Sequence, residues 1–201
     1  MVYRKTSATA ARQDARRKLI LDAATRLFGN YGYHAATVPM IVAEANSSIG
    51  SFYAHFRNKE DVFAATLQTL GDKVSELMLQ ARASQPDPLL GIRCAVESVF
   101  LYLAQNPQEA RILIVESSGL SPRLEQLRRG LLGQHAGQVC QTLESSPANF
   151  SVENPVIAAR CLVGTVFESL YGWLEQSSTD RPPVAEVARL VADYNSRAIK
   201  K

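Results

Sequence analysis

The sequence predicts an all-α protein, an N-terminal three-helix unit containing a helix-turn-helix joined to a C-terminal helical bundle, with about nine helices in total. Apolar residues recur at intervals of three and four along most of the chain, the period of a helix buried on one side. No stretch alternates apolar and polar residues with the period of two that a half-buried strand needs. Pro39, Pro107, Pro122 and Pro155 each fall where a helical stretch opens, the position at which proline's missing N–H is least felt. The 201 residues suffice for one large or two small domains. We divide them into a basic flexible arm over 1–11, a helix-turn-helix unit over 12–58 and the bundle over 59–201.

Residues 1–11 lack periodic apolar positions, and Arg4 and Lys5 could follow a nucleic-acid backbone. From Arg12 to Asn30, Leu19, Ile20, Ala23, Ala24, Leu27 and Phe28 form one apolar side, and Gly29-Asn30 and Gly32 are expected to stop the helix. Thr37 caps the next helix, which carries Met40, Ile41, Ala43 and Ala45 and ends at Asn46, a residue type that readily turns left-handed. Ser48 caps a second short helix, IGSFYAHF, after a turn of a few residues. Two short helices so joined form a helix-turn-helix, whose second helix enters the DNA major groove. Gly50 and Ser51 are small enough to let the leading face approach a duplex, while Phe52 and Phe56 anchor the helix from behind. Tyr53 and His55 are amphipathic, and Arg57 and Lys59 add positive charge. Asn58 and Asp61 form a variant capping box at the start of the following helix, where exposed N–H groups and Lys59 could meet one phosphate.

The run from Arg16 to Phe63, with LILDAATRLFGNYGYHAATV before the turn and SFYAHFRNKEDVF after it, closely resembles the DNA-binding domain of the tetracycline-repressor-type (TetR) family of bacterial regulators. Phe28, Gly32, Thr37, Ile41, Ala45, Gly50, Tyr53, Phe56 and Lys59 keep the spacing of that family. Val42, Asn46 and Ser47 depart from it, standing where the family usually has Ala, Gly and an apolar residue. The resemblance implies that Thr37, Ser48, Tyr53, His55 and Lys59 contact phosphates, and that Ile49, Gly50 and Ser51 face base edges.

Beyond Lys59 a long amphipathic helix runs to about Arg82 and belongs to both halves. SQPDP breaks it, and another helix follows from Leu89 to Gln105. Asn106-Pro107 opens a short one, EARILIVESS, apolar nearly all round and hence buried. Ser121-Pro122 begins the next, and a polar loop around 145–154 precedes a last pair, from Pro155 to about Gln176 and from Pro182 to about Ala198. Periodicity alone lets this pair complete a monomeric core or form a four-helix interface with a second copy. A helix-turn-helix commonly reads paired half-sites as a symmetric dimer, which favours the interface. The stretches NPQEARILIVESSGLSPRLEQL and ENPVIAARCLVGTVFESLYGWL look like the regulatory half of such repressors and point the same way.

Charge separates along the chain. Residues 1–60 hold nine Lys and Arg against four Asp and Glu, whereas residues 61–201 hold thirteen against fifteen. The positive excess lies with the proposed reading head, as binding to phosphates requires. No apolar run reaches the length of a membrane helix and the N-terminus lacks a signal-peptide core, so a cytoplasmic protein is expected. Cys94, Cys140 and Cys161 are far apart in apolar surroundings and are read as reduced core residues.

The leading expectation is a homodimeric repressor on a palindromic double-stranded DNA operator, released by a small, apolar or aromatic effector. Effector binding follows mainly from the resemblance. Polar or aromatic residues on otherwise apolar helices, Arg93, Glu97, Phe100, Glu116, His135, Phe167 and Tyr171, are the pocket candidates. Each of them also fits a satisfied core position or a solvated face. No cofactor, metal site or catalytic residue is implied, for the chain has no GxSxG, HExxH or paired ExxH, and His34, His55 and His135 are scattered. The rival readings are a helical protein-interaction module and a small helical enzyme.

Overall fold

Side-chain caps set the starts of most helices. The computed structural model describes residues 7–177 and 179–201, with side chains from residue 11 onward. Arg4 and Lys5, assigned above to the arm, lie outside the described residues. The chain forms α1 (Ser7–Ala35), α2 (Val38–Glu44), α3 (Ile49–Tyr53), α4 (Lys59–Ala83), α5 (Pro88–Gln105), α6 (Pro107–Arg111), α7 (Pro122–Ser145), α8 (Pro155–Glu175) and α9 (Val184–Ile199), with a π-helical turn (Ile112–Glu116) after α6. Among the described residues there is no strand, only an isolated antiparallel bridge between Phe150 and Lys200. Thr37, Ser48, Asn58, Asp87, Ser121 and Asn154 each cap the helix that follows through a side-chain oxygen.

Three boundaries differ from expectation. α1 begins at Ser7, inside the stretch assigned to the arm, and runs through Gly29 and Asn30. Its helical geometry fails only at Gly32, with φ 83° and ψ 166°. Gly29 therefore serves contact rather than termination, since a Cβ there would lie 2.6 Å from the Gln108 Cα. α3 stops at Tyr53 rather than Phe56, because the Phe52 carbonyl accepts from both His55 (2.9 Å) and Phe56 (2.9 Å) and tightens the chain toward α4. The expected helix after Pro107 widens into the π turn, which sends Ile112, Leu113 and Ile114 all inward.

The head of the molecule closes over an aromatic cluster. Phe28 and Tyr33 both meet Phe63 edge-on with ring centroids 5.0 Å apart, and Phe52 and Phe56 fill the space behind α3. This apolar core continues without a gap into Ala110, Ile112, Leu113, Leu124 and Leu131 of the bundle. A second cluster, around Ile92, Val139, Leu143, Phe150, Leu162 and Val163, holds the far end together. α4 spans both, so the head and the bundle share one rod.

Candidate functional site

The reading head is built by α2, the turn and α3. Thr37 Oγ1 accepts from the Met40 N–H (3.4 Å) and Ser48 Oγ from the Ser51 N–H (3.1 Å), which fixes where both helices start. Asn46 takes φ 46° between them, the left-handed conformation expected of it. Phe52 is fully buried and pins α3 to the core, so the opposite face looks outward. Thr37, Ser48, Ile49, Gly50 and Tyr53 are exposed, and a Cβ added at Gly50 would meet nothing within 4 Å. The helix thus offers a bare backbone patch between a protruding Ile49 (47% exposed) and Tyr53 (55%). His55 is half-buried against Phe56.

Two of the expected contacts are redirected. Ser51 is half-buried and its Oγ is enclosed with no hydrogen-bond partner, so the hydroxyl assigned to a base edge does not face outward. Lys59 Nζ donates to the carbonyls of Tyr33 (2.7 Å) and His34 (3.2 Å) and sits over the Tyr33 ring. Burial holds its pKa below the usual lysine value. Its ammonium closes the end of α1 instead of standing free for a phosphate. The cation that sequence reasoning missed is Arg17, whose guanidinium lies 5.4 Å from the Phe56 ring centroid, beside the end of α3. Arg57 stays exposed but is paired with Asp61 (2.7 Å).

Besides the bond from Gln108 Nε2 to Asn30 Oδ1 (3.1 Å), two groups of polar contacts fasten the head to the bundle. The Glu116 carboxylate accepts from the Tyr33 N–H (3.0 Å) and from Arg111 Nε (3.1 Å), and lies against Gly32, where the helical ladder of α1 is broken. Arg123, at the start of α7, donates to Asp61 (2.7 Å), and Ser121 donates to Glu60 (3.1 Å). Hydrogen bonding from Arg57, joined by that from Arg123, holds the Asp61 carboxyl at about 2.

Between α4, α5, α7 and α8 lies a narrow cavity of about 50 Å³. Val74, Met78, Ile92, Val96, Val99, Val139, Leu162, Val163, Val166 and Phe167 make its walls apolar. Arg82 spans its edge, donating to the Gln138 carbonyl (2.7 Å) and to Thr142 Oγ1 (2.5 Å), and also lines an open polar groove with Gln85, Gln141 and Ser145. Of the seven pocket candidates, only His135 and Phe167 line this cavity. Arg93 and Glu97 form a partly exposed ion-pair group with Asp193 on α9. Phe100 is wholly buried elsewhere in the core, Glu116 sits at the joint with the head, and Tyr171 is exposed. The lining residues Arg82, Gln138 and Thr142 were missed; Gln138 and Thr142 lie one and two turns beyond His135 on α7, the one signal that could have found them.

A family model described as "Bacterial regulatory proteins, tetR family" matches residues 20–66, the segment from the core of α1 to the first turns of α4. The HTH-type transcriptional repressor NicS of Pseudomonas putida is 28% identical over 212 aligned residues, covering 100% of both chains. The matched segment is a regulatory domain of the tetR family. The chain shares its fold with SmeT solved with triclosan, at a TM-score of 0.80, 24% identity and coverage of 93% and 92% of the two chains. It likewise matches the transcriptional regulator FadR of Bacillus subtilis in complex with stearoyl-CoA, at a TM-score of 0.80, 18% identity and coverage of 89% and 97%. It is a DNA-binding transcriptional regulator. No helix among its described residues is long and apolar enough to cross a membrane, and no group of three or more potential ligands there could hold a metal ion.

Proposed function

We propose that this chain acts as a homodimeric tetR-family repressor whose palindromic operator is released when a small apolar or aromatic molecule enters the cavity between α4, α5, α7 and α8. The observation that carries the reading is that one helix, α4, starts beside the reading head and lines the cavity with Val74, Met78 and Arg82. Spreading the cavity walls displaces, in each subunit, the rod to which its own head is attached. The bound molecules of the similar folds, triclosan in SmeT and stearoyl-CoA in FadR, support a largely apolar effector.

Dimerisation is supported by an apolar face that the single chain leaves uncovered. Val156, Ile157 and Tyr171 on α8 and Leu190 and Tyr194 on α9 are 42 to 63% exposed. Gly164 and Gly172 on α8 allow close approach, and exposed Cys161, expected in the core, lies among them instead. A two-fold axis through such a face yields a four-helix interface and sets two heads on one side of a duplex. In the reading head, Thr37, Ser48, Tyr53 and His55 hold phosphates while Ile49 and Gly50 meet base edges.

The test is a salt titration of purified protein on duplexes from its own upstream region, followed by a compound panel. Tyr53→Phe is expected to weaken all duplexes alike, and Ile49→Ala to alter preference among them. Leu190→Asp with Tyr194→Asp is expected to yield monomers in sedimentation equilibrium and to lose high-affinity operator binding. A dimer that survives those substitutions sinks the interface, and the absence of any salt-sensitive duplex preference sinks the repressor reading.

A further inference from the structure

The cavity is not uniformly apolar, and the unpartnered polar atoms buried in its wall residues His135 and Gln138 are of one kind. His135 is 1% exposed and its ring lies alongside Phe167 with centroids 6.3 Å apart. Its Nε2 is 3.1 Å from the Gly71 carbonyl of α4. A carbonyl oxygen can only accept, so Nε2 carries the proton and Nδ1 presents a lone pair. That Nδ1 is buried without a partner. Burial lowers the pKa of the ring, which keeps it neutral and the lone pair available. One helical turn on, Gln138 Oε1 is also enclosed and unpartnered. Thr142 and Arg82, by contrast, are already engaged with each other and with the Gln138 carbonyl. A buried acceptor without a donor is costly, and a ligand that supplies the donor recovers that cost.

We infer that the effector carries a neutral hydrogen-bond donor, a hydroxyl on an apolar or aromatic body, which donates to His135 Nδ1 with Gln138 Oε1 as the neighbouring acceptor. The inference rests on the reading of this cavity as the effector site and adds the chemistry of the head group. It sets the effector apart from plain hydrocarbons, which leave both acceptors orphaned, and from carboxylates, whose charge would face a lone pair.

The full-length protein is titrated calorimetrically with 4-propylphenol, with its methyl ether 4-propylanisole and with 4-propylbenzoate. The phenol is expected to bind at least about ten-fold more tightly than the ether, the scale of one hydrogen bond to a buried acceptor. His135→Phe is expected to collapse that ratio to within about two-fold. Gln138→Leu, which leaves the bond between His135 and Gly71 intact, is expected to reduce it and serves if the first variant does not fold. Equal binding of phenol and ether, tightest binding of the benzoate, discrimination that persists in His135→Phe, or no binding by any of the three overturns the inference. If phenol and ether bind alike and both release the operator, the effector site stands and the donor requirement falls. If the phenol binds with His135-dependent discrimination yet leaves the operator bound, the donor requirement stands and the effector role of the cavity falls.

Discussion

Asp61 receives Arg57 from the turn before α4 and Arg123 from α7, and its carboxyl pKa drops from 3.8 to about 2. A carboxyl depressed in the folded state contributes stability that is fully present above its unfolded pKa and disappears as the pH falls through its folded one. Asp61→Asn is therefore expected to lower the melting temperature at neutral pH, with the gap to wild type closing between about pH 4 and pH 2. Ser47 presents the opposite case. Its Oγ is enclosed with no partner at the joint between α2 and α3. Ser47→Ala is expected to stabilise the protein by about 1 kcal/mol, since an unsatisfied hydroxyl leaves the interior. A melting temperature raised by roughly 2–4 °C would report it. Ser51 Oγ is enclosed in the same way, so Ser51→Ala is expected to leave the ranking of duplexes unchanged in a binding competition.

Elements were legible in the sequence where their signal is local. Thr37, Ser48 and Ser121 announce helix starts because a cap acts within three residues of itself, and the structure returns each bond. Asn46 announces the turn for the same reason. Features that depend on a distant partner were not legible. Gly29 reads as a stop signal, yet it is the contact point of α1 with α6, where a Cβ would lie 2.6 Å from the Gln108 Cα and 2.8 Å from its carbonyl oxygen. Gly29→Ala is expected to cost about 1–3 kcal/mol in urea unfolding, because backbone rather than a flexible side-chain tip must move. Glu116 reads as a polar spot on an apolar helix and hence a pocket candidate, although its carboxylate serves Tyr33, 83 residues away. Lys59 likewise shows its charge in the sequence but not the two carbonyls that occupy it. The cavity was only half visible, since four separate helices supply its wall and periodicity assigns a residue to a face without naming the neighbour.

Across the whole molecule, α4 is the connecting member. Its 25 residues span roughly 37 Å at 1.5 Å per residue, from the Asn58 cap under the head to the Arg82 bridge at the cavity's edge. On the proposed reading a small displacement at the cavity is carried along α4 to the head of the same subunit, and the ties to α7 and the π turn decide how faithfully. Val163→Phe, which puts bulk into the cavity, is expected to lower stability by about 1–3 kcal/mol and to leave operator binding intact while abolishing release by added compound. Gel-shift titrations with and without compound would check it. The bond from Glu116 to the Tyr33 N–H carries a wider consequence. The last turn of the first helix borrows its finishing oxygen from a residue synthesised much later, so a truncated product ending after the opening sixty or so residues would fray at its own edge. Anyone grafting this recogniser onto another sensor would have to transplant the acidic group along with it.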